Sequence, residues 1–270
     1  MKSPVFASYY FRVAPSSVAL AGFQQLLRQL LFLLENSIGR VRCWMIFSAM
    51  SVSFCSPCDV DAVIHDIFHV PLTEAGFQKP TRLKYVRSRF EEMRDVIEFR
   101  SDRGSLIFVW GFSLNFVPHI AGRNTETVAW HRTPNSANAD LRYSGLGRFC
   151  SGPIEPGATI SIYATEPSVR DGAELTRQFM LPKALAKLDS VRQLRNIEAL
   201  FEEEERNASS HFFNFPQLAL AYAFYLAKVG DQRARQYMSE WLEHSMDRRE
   251  ETLDRITKLF EEAVNTPFNP

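Results

Sequence analysis

The chain has 270 residues, of which 46% are hydrophobic and 23% charged, and its 31 basic residues equal its 31 acidic residues. These values are typical of a globular protein, and the zero net charge excludes a basic field over the whole molecule that would attract nucleic acid. Four cysteines and no run of about 18 apolar residues exclude a disulfide scaffold and a membrane span, so we predict a cytoplasmic protein.

The first 49 residues differ from the rest of the chain in charge. They contain five basic residues and one acidic residue. Leucines at three- and four-residue spacing between Val18 and Leu34 predict an amphipathic helix. Two interpretations stay open: residues 1–49 are an N-terminal extension with a docking helix, or translation of the natural protein begins at Met50.

An α+β domain is predicted for residues 50–206, and its first element is a helix from Asp59 to Ala75. Apolar residues recur on one helical face between Val60 and Phe68, and Asp59 is the predicted N-cap. Pro71 should end or kink this helix, because proline lacks the N–H that an interior helical position donates.

Three runs of β type follow, at Arg82–Phe90, Asp95–Ser101 and Ser105–Val117. In the last run, alternate residues from Leu106 to Phe116 are apolar and mostly aromatic, which is typical of a strand with one buried face. Asp102-Arg103-Gly104 has the composition of a hairpin turn. The short links between successive strands predict an antiparallel meander.

Residues 118–158 are rich in glycine and proline, with short strands predicted near Thr127–Arg132 and, beyond this region, at Thr159–Ala164. Helices follow, both here and in a C-terminal segment, residues 207–270. Their predicted ranges are Val169–Met180, Ala184–Glu205, Pro216–Val229, Asp231–His244 and Asp247–Val264. The acidic run Glu202–Glu205 should be solvated. The predicted fold class is therefore α+β: an antiparallel sheet of about four strands packed by helices, with a helical C-terminal segment.

Three stretches between Val60 and Glu205 carry local patterns. They are "PLTEAGFQK" (Pro71–Lys79), "VIEFRSDRGSLIFVWGFSLNF" (Val96–Phe116) and "FMLPKALAKLDSVRQLRNIEALF" (Phe179–Phe201). Together they resemble a family of bacterial proteins catalogued only as a domain of unknown function (family four-three-zero-four). The resemblance covers a little over half of the chain. It implies a fold but no reaction, so no functional residue is carried over.

Two residue pairs near the first helix are candidates for chemistry. Cys55 and Cys58 have the spacing of a redox dithiol but lack the βαβ frame that such a site needs. His65 and His69 have the i, i+4 spacing of zinc-binding helices, but they should face solvent, opposite the apolar face. The basic stretch Lys79–Arg103 is nearly balanced by acids, so nucleic-acid binding is not predicted. We therefore assign no catalytic, cofactor-binding or metal-ligating residue.

These observations favour a non-enzymatic protein that binds and regulates or neutralises another bacterial protein. Its partner would dock through the C-terminal helices or the leucine-rich N-terminal helix. The alternative is a small-molecule enzyme with a site in the 118–158 loop region. The polar candidates for that site are His119, Arg123, His131, Arg132 and Arg142.

Overall fold

The computed structural model describes residues 56–102, 104–122, 126–130, 133–146, 154–206 and 217–268. These residues all belong to one compact unit of the chain. The predicted N-terminal helix, the alternative start at Met50 and Cys55 lie outside the described residues. Within the described ranges, no helix has both the length and the apolar character needed to cross a membrane.

Among the described elements, one helix precedes the strands and the other helices follow them. The strands are β1 (Gln78–Thr81), β2 (Lys84–Ser88), β3 (Met93–Asp102), β4 (Ser105–Leu114), β5 (Pro118–Ala121), β6 (Thr127–Trp130), β7 (Leu141–Ser144) and β8 (Thr159–Ser161). The α-helices are α1 (Pro57–Glu74), α2 (Glu166–Leu175), α3 (Leu181–Ser190), α4 (Ile197–Arg206), α5 (Gln217–Lys228), α6 (Ala234–Glu243) and α7 (Glu250–Asn265). A π-helical turn (Thr176–Met180) joins α2 to α3, and a 3₁₀ turn (Leu194–Asn196) precedes α4.

Six of the strands form one antiparallel sheet in the order β1-β2-β3-β4-β7, in which β8 also pairs with β4. The outer edge of β4 is shared, because β7 pairs with residues 109–112 and β8 pairs with residues 105–107. Strands β5 and β6 form a separate two-stranded ribbon. The predicted meander is confirmed by the antiparallel pairing of β2 with β3 and of β3 with β4.

The predicted apolar face of β4 lies at the centre of the core. Its alternate residues are all buried: Leu106, Phe108, Trp110, Phe112 and Leu114. The ring of Phe108 lies 6.1 Å from that of Phe68 in α1 and 5.4 Å from that of Phe99 in β3. Strand β4 ends at Leu114, three residues earlier than predicted, and Phe116 beyond it is still buried. The helix layer therefore covers this face of the sheet.

The α+β class is confirmed, with six strands in the main sheet where about four were expected. The additional strands include β7, which pairs with β4 opposite Gly111. A side chain at Gly111 would not fit, because its Cβ would lie 1.9 Å from the carbonyl oxygen of Leu141. A strand as short as β7, held by backbone pairing, shows no apolar alternation in its sequence. For this reason β7 was not predicted.

Helix α1 begins two residues earlier than predicted and ends at Glu74, one residue before the predicted Ala75. Its N-cap is Ser56, whose hydroxyl accepts a hydrogen bond from the Asp59 backbone N–H while the Asp59 carboxylate accepts one from the Ser56 backbone N–H. This reciprocal pair is a capping box. Pro71 does not end the helix, which continues to Glu74. The last turn stays helical because Leu72 is buried beneath it, and the Phe77 N–H donates to the Leu72 carbonyl at 2.9 Å.

The helix predicted to run continuously from Ala184 to Glu205 is broken. Helix α3 ends at Ser190, and Val191 is extended, with φ −88° and ψ 98°. The break buries the Val191 side chain, and hydrogen bonds between Gln193 and Asn196 start the next turn. The prediction for the acidic run was wrong at one position, because Glu204 is buried.

The C-terminal helices follow the prediction closely. Helix α5 ends at Lys228, and Gly230 adopts the positive φ of 75° that favours glycine after a helix. The ring of Phe224 lies 5.7 Å from that of Phe260, which joins α5 to α7. One hydrophobic cluster extends from Val60 to Ala263, so the C-terminal helices and the sheet share a core. The domain boundary at residues 206/207 stays a prediction.

Candidate functional site

A cavity of about 500 Å³ lies between the end of β4, the β5–β6 ribbon and helices α5 and α7. We call it the C-terminal groove. Its lining residues are Asn115, Phe116, Trp130, Phe224, Lys228, Leu259, Glu262, Ala263 and Thr266. The volume is within the range of about 300–1,000 Å³ that is typical of ligand pockets.

Helical spacing creates the two walls of the groove. Phe224 and Lys228 are four residues apart on α5 and therefore share a face. On α7, Leu259 and Ala263 have the same spacing. Phe224 is fully buried and Leu259 is half-buried. The apolar side chains of these two walls, Phe224, Leu259 and Ala263, together form the floor of the groove, and the side opposite this floor is open.

The ribbon wall is attached to α7 by Glu126, which directly precedes β6. The Arg248 guanidinium donates to Glu126 Oε1 at 2.9 Å, and the Arg249 backbone N–H donates to Oε2 at 3.4 Å. Arg249 is the N-cap of α7 and makes no side-chain capping bond itself. The carboxylate of Glu126 therefore caps α7 from the ribbon, where a negative charge is favoured.

The end of the chain folds back beside the groove. After α7, the Phe268 backbone N–H donates to the Lys228 carbonyl at 2.7 Å. The Phe268 ring makes an edge-to-face contact with Phe116 at 5.4 Å, and the Lys228 ammonium lies 5.3 Å from the Phe268 ring centroid. We call Thr266–Phe268 the C-terminal tail.

Polar groups form the rim of the groove. The Lys228 ammonium donates to the Thr266 carbonyl at 2.8 Å and contacts its hydroxyl at 3.2 Å. Glu262, on the other side, is exposed. A cation and an anion therefore border an apolar floor, an arrangement that suits a ligand with an apolar centre and polar flanks.

A second polar cluster lies at another junction between the sheet and the helices. Asp95 of β3 is fully buried, and its Oδ2 accepts from Nε of Arg87 and from Nε of Arg89, both at 2.8 Å. The same two guanidiniums bind Asp189 at the end of α3. We call these four residues the arginine–aspartate cluster. Burial raises the pKa of the Asp95 carboxyl, although both guanidiniums favour its charged form.

The residues predicted for a loop enzyme are only partly described. His119 lies on β5 opposite Ala129, and Arg142 lies on β7, where its Nε donates to the Ala139 carbonyl at 2.7 Å. These two strands belong to different sheets. Arg123, His131 and Arg132 lie outside the described residues. A shared pocket for the five therefore stays a prediction.

The two residue pairs near α1 were expected to carry no metal or redox chemistry. The rings of His65 and His69 lie 4.4 Å apart; His69 is exposed, whereas His65 is half-buried and less solvated than predicted. Burial and the nearby charge of Lys79 lower the pKa of His65. No group of three or more metal-ligating side chains occurs among the described residues. Cys55 and the side chain of Cys58 lie outside them.

Comparisons with protein-family models, with curated proteins and with solved structures find no significant match for this chain. The resemblance of residues 60–205 to a bacterial domain of unknown function therefore stays a prediction. The functional interpretation rests on the geometry of the C-terminal groove.

The sequence indicated the helices of the groove but not its other residues. Trp130 ends a short strand, and Phe268 follows a proline after the last helix. An aromatic residue shortly after the end of a helix is a weak signal of a tail that folds back and packs against the core. No local pattern indicates that Phe116 and Phe268 meet.

Proposed function

We propose that this chain is a non-enzymatic protein-interaction module that binds, and thereby regulates or neutralises, another protein through its C-terminal groove. The observation that supports this proposal is the combination of an apolar floor with a charged rim on α5 and α7. Protein interfaces are commonly built in this way, with aromatic or aliphatic anchors at the centre and polar groups around them.

The attachment of the groove walls favours binding without a large rearrangement. Phe224 packs on Phe260, and Glu126 joins the ribbon to the start of α7. Because the elements around the cavity are already fixed, they lose little conformational entropy when a partner binds. The bacterial source and the cytoplasmic location stay predictions that agree with this function.

The proposal is tested by affinity capture from the native cell extract with two variants at neighbouring positions of α7. Leu259→Gln places a polar amide in the floor of the groove. Lys258→Gln introduces the same residue at an exposed position of the same helix. We expect a partner that binds the wild type and Lys258→Gln but is lost, by about ten-fold or more, with Leu259→Gln.

Two results would contradict the proposal. Capture of the same proteins by all three forms would place the interaction on another surface. A complete absence of specific partners would remove the main support for an interaction module. Circular dichroism of each variant checks that Leu259→Gln remains folded.

The alternative, a small-molecule enzyme with a site among residues 118–158, has no specific observation in its favour. Its two described candidates, His119 and Arg142, lie on strands of different sheets. We therefore retain it only as the hypothesis that a failed capture experiment would bring forward.

A further inference from the structure

The C-terminal tail suggests which kind of partner segment the groove accepts. We propose that the groove binds an extended peptide segment of the partner through an aromatic side chain, and that the tail of this chain is an internal competitor for that position. This inference rests on the proposed function, because it specifies the ligand of the same groove.

Phe268 makes three contacts that another peptide could reproduce. Its ring packs on Phe116, its ring lies beneath the Lys228 ammonium, and its N–H binds the Lys228 carbonyl. The Lys228 ammonium is also held by the carbonyl and hydroxyl of Thr266, which precedes the exchangeable residues Pro267 and Phe268. Aromatic contact, a cation over the ring and a backbone hydrogen bond are general means of peptide recognition.

The Lys228 carbonyl is suited to this role by its position. Lys228 is the last residue of α5, and the final carbonyls of a helix have no partner within the helix. The tail N–H satisfies this carbonyl at 2.7 Å. A backbone N–H of a partner peptide would satisfy it equally well, so exchange would cost no buried hydrogen bond.

The tail is attached in a way that permits its replacement. Phe268 is half-buried, whereas α7 is held independently by Phe260 and by the link of its N-terminus to Glu126. Release of Pro267 and Phe268 would therefore leave both helical walls of the groove and Thr266 in place. The adjoining cavity of about 500 Å³ offers room for residues that flank the incoming aromatic side chain.

Competition follows from covalent attachment. A segment joined to the protein by a short connection has an effective local concentration on the order of millimolar. A partner segment must exceed that concentration or bind more tightly than the tail. Removal of the tail should therefore strengthen the binding of any peptide that uses the same contacts.

The experiment uses a synthetic peptide with the sequence of residues 265–270 as the probe. It is titrated into the full-length wild type, into Phe268→Ala, and into a chain that ends after Thr266. The readout is the indole N–H signal of Trp130, which lines the groove, in a two-dimensional nitrogen–proton NMR spectrum. A second peptide carries alanine in place of the phenylalanine.

We expect a saturable shift of the Trp130 signal in the shortened chain and in Phe268→Ala. The apparent affinity should be about ten-fold weaker in the wild type, and about ten-fold weaker again for the alanine peptide. Equal binding to the wild type and the shortened chain would overturn the internal competition. No shift in a folded shortened chain would overturn aromatic-peptide recognition. Unfolding of both tail variants would also overturn the proposal, because the tail would then be part of the core.

The outcomes separate this inference from the proposed function. If a captured partner depends on Leu259 but is not displaced by the tail peptide, the groove binds a partner and only the aromatic-peptide inference fails. If the tail peptide binds the shortened chain but no partner is captured, the recognition chemistry stands and the interaction function fails.

Discussion

The arginine–aspartate cluster and the C-terminal groove are both junctions between strands and helices, but they are closed by different means. At the first junction, Asp95 is 0% exposed and faces two guanidiniums, which in turn reach Asp189. At the second, five apolar and four polar side chains line a cavity of about 500 Å³, and Phe268 of the tail contacts one of the apolar ones, Phe116.

The difference underlies the proposal that the first junction serves the fold and the second binds a partner. The charges of the arginine–aspartate cluster bind one another, although the buried Oδ1 of Asp95 has no hydrogen-bond partner among the described residues. In the groove, the half-buried side chains of Leu259 and Trp130 leave apolar contact surface that a ligand would cover.

Substitution of Asp95 should have the largest effect. Asp95→Ala leaves two partly buried guanidiniums without their shared carboxylate, and we expect a loss of about 3–5 kcal/mol of unfolding free energy. Urea denaturation measures it. The matched control is Asp189→Ala, whose side chain is 56% exposed and binds the same guanidiniums. We expect it to cost about 1 kcal/mol or less; equal losses in the two variants would refute the buried role of Asp95.

Two neighbouring positions on α7 should separate the core from the groove. Phe260 is buried against Phe224, so Phe260→Ala should destabilise the protein by about 3 kcal/mol. Leu259→Gln, on the groove side, should cost about 1 kcal/mol and act mainly on partner binding. Thermal and urea unfolding measure the two losses, and a reversed order would mean that the groove wall is part of the core.

Removal of the tail contact should have a smaller effect on stability. Phe268→Ala loses the edge-to-face contact with Phe116 and the cation over the ring, for which we expect about 1 kcal/mol. Phe268→Leu keeps apolar contact but not the aromatic geometry and serves as the control. A loss as large as that of Phe260→Ala would show that the tail cannot be exchanged.

The smallest effect should be the pH dependence contributed by Glu126. Burial opposes the ionisation of this carboxyl, but hydrogen bonds with Thr252 and Arg249 and the charge of Arg248 outweigh it and lower its pKa. A lowered pKa in the folded state stabilises the protein above the unfolded-state pKa, and this contribution disappears as the pH falls through the folded-state value.

We therefore expect wild type and Glu126→Gln to differ in stability at about pH 7 and to converge towards about pH 3. Denaturation curves at several pH values measure the difference. A difference in unfolding free energy between wild type and Glu126→Gln that stays the same at all pH values would contradict the role of the charged carboxylate.

Sequence reasoning was most successful where the pattern is local. The alternation of apolar residues from Leu106 to Leu114 in β4 predicted the aromatic buried face, because side chains of a strand alternate whatever the rest of the chain does. It did not predict that the opposite face, with Ile107, Val109 and Ser113, is buried as well. Glycine at position 230 predicted the end of α5 for a similar reason: its positive φ is a property of the residue itself.

Sequence reasoning failed where distant parts of the chain decide the local structure. Pro71 stays within α1 because Leu72 and Phe77 hold the last turn against the core. The chain breaks after Ser190 because burial of Val191 outweighs the helical pattern around it. In both places packing overrides the local preference.

The α+β class, the aromatic face of β4 and the amphipathic C-terminal helices could be read from the amino-acid sequence, because they follow from the period of its apolar residues. The contacts of Asp189 with Arg87, of Glu126 with the start of α7 and of Phe268 with Phe116 became visible only in the folded chain. These contacts join residues far apart in the chain. The conformational entropy lost when those residues become ordered is offset by apolar burial and charge pairing, which form only together with the whole core.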